Sequence, residues 1–148
     1  MAAVNRRNRA SHQAGAELIE FALVLPILLL IVMGIFDFSF AFQRYQILTN
    51  AAREGARVGV LPGYGDADIT ARVLEYATAS GLPDAVSLLS TTVDRSTIGL
   101  VGNTFDVVTV NASYPHPFTF LAPIAALFGG EFGAISLTGS ATMRVESP

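Results

Sequence analysis

Hydrophobic and polar positions divide the chain into three regimes. Residues 1–14 are polar and basic, with no apolar period. From Phe21 to Phe36 sixteen consecutive residues carry no charge, Asp37 interrupts, and Phe38-Ser39-Phe40-Ala41-Phe42 resume. At helical rise, residues 21–36 are about 24 Å long and residues 21–42 about 33 Å, against a hydrocarbon core of about 30 Å. The run predicts a membrane-spanning helix over 16–42. Pro26 removes one of its hydrogen bonds, which a spanning helix tolerates and which marks a kink or weak point.

Arg44 to Val60 continues the helix into water. Small residues recur every four positions (Ala51, Gly55, Gly59 and Ala52, Ala56), a stripe that lets another backbone approach closely and is expected to pack on the chain's own domain. Glu54 and Arg57 stand one turn apart and can pair. Leu61-Pro62-Gly63-Tyr64-Gly65-Asp66 then breaks the helix. Asp66 or Asp68 can cap a second helix over 67–80, with Ile69, Val73, Tyr76 and Ala77 on one face and Gly81 beyond its end.

The period then changes. Residues 86–93 suit a strand, and 99–103 hold a turn. Residues 104–114 place Val108, Val110, Ala112 and Tyr114 on one face. The last segment alternates cleanly, with Ile135, Leu137, Gly139, Ala141, Met143 and Val145 on one side and polar residues from Ser136 to Glu146 on the other. Between these strands Pro123 can start a short helix over 123–128 and Gly129 can end it. The fold class is therefore α+β: a long N-terminal transmembrane helix extending into a small domain with a second helix and an antiparallel sheet of about three strands.

Composition narrows the function. Hydrophobic content of 51% and a mean hydropathy of +0.49 are high for a soluble protein, and residues 18–42 carry much of the excess. The net charge is −3, and after residue 57 only Arg72, Arg95 and Arg144 are basic, so no nucleic-acid surface is expected. With no cysteine there are no disulfides and no thiolate chemistry.

No catalytic group, cofactor site or metal site emerges. His12 falls in the basic leader, and His116 stands between Pro115 and Pro117 as an expected surface residue. Asp66-x-Asp68 fails as a calcium loop because the sixth position is Ala71. Gly-x-Ser-x-Gly does not occur, and Asn111-Ala112-Ser113 fits a glycosylation tripeptide within a predicted strand.

The acids in the apolar run remain. Glu20 and Asp37 are seventeen residues apart, or about 26 Å, so each can sit near one membrane face. Asp37 is expected to be a partly hydrated interfacial acid. Glu20 differs because of its setting. Gly15 followed by Ala16-Glu17-Leu18-Ile19-Glu20-Phe21 resembles the prepilin peptidase site of the type IV pilin superfamily. The resemblance implies a basic leader over 1–15, a cut between Gly15 and Ala16, and Glu20 fifth in the mature chain, followed by the aromatic Phe21. With Asn50-Ala51-Ala52-Arg53-Glu54-Gly55-Ala56-Arg57, the segment 15–60 resembles the TadE-like family of minor pseudopilins in tight-adherence pilus systems. The likeness is weaker at Tyr114-Pro115 and Ser140-Ala141-Thr142-Met143-Arg144-Val145-Glu146.

That resemblance implies a pilin-like domain over 43–148, including the helix extension 43–60. It also implies a structural rather than catalytic role in pilus assembly. The implied partners are prepilin peptidase, other pilin-like subunits with their assembly machinery, and inner-membrane lipid. Arg6, Arg7 and Arg9 favour a cytoplasmic N-terminus and an exported C-terminal domain. The uncharged stretch 117–130 is expected to fold its phenylalanines inward and turn part of 124–128 (Ile124, Leu127, Phe128) toward a pilus partner. Two alternatives stay open: an anchored domain that binds a partner outside the membrane, and a secreted protein cut before Phe42 by signal peptidase.

Overall fold

The computed structural model describes residues 2–100, 103–127, 129–131 and 133–145. One helix, α1 (Ala2–Gly59), runs through the apolar segment and on into the domain, with Pro26 inside it. Its two halves differ in what covers them. Leu18, Ile19, Phe21, Leu23, Ile27 and Ile31 are exposed. An apolar window within Glu17–Gly59 has a mean hydropathy of 2.8 and is 0% buried, which separates it from the core helix of a soluble domain. From Asp37 onward one stripe is covered: Asp37, Ala41, Leu48, Ala51, Ala52, Gly55, Ala56 and Gly59.

The domain is wrapped on that stripe. Helix α2 (Asp66–Ala79) packs Ile69, Val73 and Ala77 against it. The Asp68 carboxylate accepts a hydrogen bond from the Gly65 N–H at 2.9 Å and so serves the helix start. At the other end Gly81 takes φ +79°, and the Leu82 N–H reaches the Ala77 carbonyl at 3.0 Å, closing the helix and burying Leu82.

A three-stranded antiparallel sheet follows in simple meander order: β1 (Ser90–Leu100), β2 (Asn103–His116) and β3 (Ile135–Arg144). The central strand β2 buries Val108, Val110, Ala112 and Tyr114 against α1, as its alternation predicts. The stripe of small residues is what lets the layers close. A Cβ on Gly55 would lie 2.5 Å from Val73 Cγ2, and one on Gly59 3.2 Å from both Val108 methyls. The tightest crossing is at Gly139 on β3, where a Cβ would lie 2.4 Å from Leu48 C and Thr49 N. The sheet's other face is polar, with Thr109–Thr142 and Ser113–Thr138 hydroxyl pairs at 2.9 Å bridging strands. The Glu54–Arg57 pair is present and shared: Glu54 also accepts from Arg72, which reaches Glu75 as well.

Two elements depart from the sequence reading. Residues 86–88 are not strand but part of a helical turn, α3 (Ala85–Leu88). Asp84 adopts φ +48°, its carbonyl accepts from the Ser87 and Leu88 N–H groups and the Ser87 hydroxyl, and buried Ala85 anchors the turn. Serine's ability to bond its own neighbouring backbone outweighs the local β pattern here. The strand then starts at Ser90 and runs to Leu100, because the hairpin register with β2 extends that far. The short helix α4 (Leu121–Leu127) begins two residues before Pro123, since its start is set from outside the segment.

Candidate functional site

The N-terminal motif lies on the uncovered part of α1. Gly15 is half-buried with nothing within 4 Å of where a Cβ would be, and Glu17, Glu20 and Phe21 are exposed. The side chain of Ala16 lies outside what is described. Glu20 makes no ion pair or hydrogen bond among the described residues. Of the expected partner surface, Ile124 is half-buried on α4, while the Leu127 side chain and Phe128 lie outside the described residues. The motif and α4 are not brought together: Glu20 and Asp37, where α4 attaches, are seventeen residues apart along one helix.

The built cluster is at the other end of the apolar run, and it corrects two expectations. Asp37 is not a hydrated interfacial acid; its relative exposure is 0%. Its carboxylate accepts from three successive backbone N–H groups: Thr119 to Oδ1 at 2.9 Å, Leu121 to Oδ2 at 2.8 Å, and Phe120 to both oxygens at 3.2 and 3.0 Å. Leu121 opens α4 and Thr119 and Phe120 lead into it, so the carboxylate holds the helix start across 82 to 84 residues of chain. Its charge also faces the positive end of the α4 dipole. With the start set this way, Pro123 falls in the first turn, where its missing N–H costs nothing.

His116 is likewise not on the surface: it is 1% exposed. Its Nδ1 lies 2.7 Å from Nη1 of Arg44. A guanidinium only donates, so Nδ1 accepts and the neutral ring carries its proton on Nε2. Nε2 has no hydrogen-bond partner among the described residues. Phe118 meets the ring edge-on at 5.8 Å between centroids, and the Arg44 guanidinium lies 5.6 Å from the centre of the Tyr114 ring. Burial pushes the His116 pKa below the ordinary imidazole value and the Arg44 charge lowers it further, while Asp37 acts weakly the other way. The arrangement holds a neutral histidine between a cation and an aromatic ring. It joins the end of β2 to α1 one to two turns above Asp37.

The sequence could have pointed to Asp37, since a carboxylate in an apolar run needs a partner. Nothing local identifies Thr119–Leu121 as that partner. For His116, the flanking prolines suggested a loop, whereas Pro115 and His116 close strand β2.

None of this is reaction chemistry. Among the described residues no group of three or more His, Cys, Asp or Glu side chains could hold a metal ion. The two joints fasten a small α+β head to a helix whose free half is apolar and bare. Residues 15–57 match the family model described as TadE-like protein, and the match bears out the family resemblance of the N-terminal segment. The architecture of one long apolar helix carrying a second helix and a three-stranded antiparallel sheet is the pilin-like arrangement that the resemblance implies. No curated protein and no solved structure matched the chain.

Proposed function

We propose that this protein is a minor pilin-type subunit of a tight-adherence pilus system. Residues 16–42 anchor it in the inner membrane, and residues 43–148 are exported. Prepilin peptidase removes residues 1–15 by cutting between Gly15 and Ala16. The observation that carries the reading is that the matched segment begins at Gly15, with Glu20 and Phe21 exposed on the bare helix behind it. A cut there frees an α-amino group, largely cationic at neutral pH. A cation at a helix N-terminus opposes the dipole, whereas Glu17 and Glu20 favour it. Glu20 is then free to pair with the new amine of a neighbouring subunit, which sets the axial register between copies.

Intact-mass analysis of membrane-extracted protein, with and without the peptidase, tests this. The expected mass lacks residues 1–15 when the peptidase is present. A mass that retains them under that condition removes the processing claim, and with it the role of Glu20. A reporter active only in the periplasm, fused after Pro148, tests the orientation and should be active.

A further inference from the structure

The segment 117–130 carries no charged residue, and Phe120 and Leu121 within it lie against the apolar half of the anchor helix. Phe120 contacts Phe36 at 6.2 Å between ring centroids, one residue on the membrane side of Asp37. Leu121 shares the wall of a mostly apolar groove that runs along α1 from Leu30 to Phe42, with Ile31, Gly34 and Ile35 on the membrane side of Asp37. Taking Glu20 and Arg44 as the polar limits, the span between them is about 36 Å of helix and its centre falls at residue 32. A hydrocarbon core of about 30 Å then covers about ten residues either side, from 22 to 42. Asp37 lies about 7.5 Å above the centre, and the residues it binds lie at the same depth, inside the apolar layer.

A short helix at that depth must satisfy its own backbone, because no water is there to do so. Around α4 much of this is done within the chain. The N–H groups of Thr119, Phe120 and Leu121, at and just before its first residue, go to Asp37, and two of its last carbonyls go to the chain that follows: Ala126 to the Gly129 N–H at 3.1 Å and Ala125 to the Gly130 N–H at 2.9 Å. Its outward residues, Pro123 and Ala126, are apolar and exposed, and Phe120 is 37% exposed. The first charge after it is the exposed Glu131.

We propose that α4 and the turn before it form a second membrane contact, a foot set into the lipid leaflet on the domain's side and held there by Asp37. The occupant of this surface is lipid, because the surface is continuous with the bare face of α1. The proposal rests on the reading that α1 spans a membrane.

The chain has no cysteine, so single nitroxide labels can be placed in the full-length protein. Ile31→Cys reports the span, Ala126→Cys and Pro123→Cys report the foot, and Val86→Cys, on the exposed side of α3, reports water. Reconstitution is in phosphatidylcholine–phosphatidylglycerol vesicles, and spin relaxation by oxygen is compared with relaxation by a water-soluble nickel complex. The ratio of oxygen to nickel effects should be several-fold higher at Ile31, Pro123 and Ala126 than at Val86. If both α4 labels match Val86 while Ile31 favours oxygen, the foot is overturned and the face is free for a protein partner. If Ile31 itself matches Val86, the spanning reading fails and the foot falls with it, a pattern distinct from the first.

Discussion

Replacing Asp37 by Asn isolates the joint between anchor and domain. The side chain keeps its shape, but one of its two acceptor oxygens becomes an NH2 donor. In the native arrangement Oδ1 serves Thr119, Oδ2 serves Leu121, and Phe120 shares both. Whichever way the amide turns, either the Thr119 or the Leu121 N–H then faces another donor. Hydrogen bonds to a charged group contribute about 1.5–3 kcal/mol each, and neutral ones about 0.5–1.5 kcal/mol. Removing one charged bond and weakening the rest offsets any gain from discarding a buried charge, leaving a net loss of about 1.4–3 kcal/mol in docking. That corresponds to a tenfold to hundredfold rise in local opening, since each factor of ten is about 1.4 kcal/mol. Hydrogen–deuterium exchange of a peptide covering 117–130, in the detergent-solubilised chain, reads this directly. Peptides from the middle of β2 should keep their protection, because Val108 and Val110 pack on α1 well above the joint. Unchanged exchange at 119–121 would refute the claim that Asp37 holds α4.

Three further expectations are independent of that one. Gly139→Ala forces β3 away from the Leu48–Thr49 backbone, and overpacking of this kind costs about 1–3 kcal/mol, or roughly 5–20 °C in the domain's thermal midpoint; Gly99→Ala, with open space around it, should shift the midpoint little. His116 has a lowered pKa in the folded chain, so its contribution to stability is complete above about pH 6.5 and declines as pH falls through the lower folded value. His116→Gln should flatten that part of the stability profile, and an unchanged profile would mean another group controls it. Glu20→Ala should insert at least as well as wild type and still be cut after Gly15, yet fail to support filaments; normal pilus formation by the processed variant would leave Glu20 without a role.

What could be read from the chain depended on the range of the interaction behind it. Helices α1 and α2 and strands β2 and β3 follow from periodicity, because each buries one face and the spacing of Ile69, Val73 and Ala77 or Val108, Val110 and Ala112 records it. The stripe from Ala51 to Gly59 was legible as a close-packing surface for the same reason. Strand β1 was harder: it lies at a sheet edge with both faces largely exposed, so its pattern carries little signal, and its length comes from pairing with β2. The partners of Asp37 and His116 were not legible because each lies 72 or more residues away in the chain. The partner segments have ordinary local patterns of their own. The N-terminal motif is the reverse case, legible from residue types alone and uncovered in the fold.

Helix α1 also works as a lever. Above Asp37 it is stiffened by α2, the sheet and the two joints, so bending concentrates at Pro26, where one backbone bond is missing. From Pro26 to Gly59 the arm is about 50 Å long, and a change of about 20° at the proline swings its far end sideways by about 17 Å. On the reading that α1 spans a membrane, the head's position over it follows from the helix angle at that one residue.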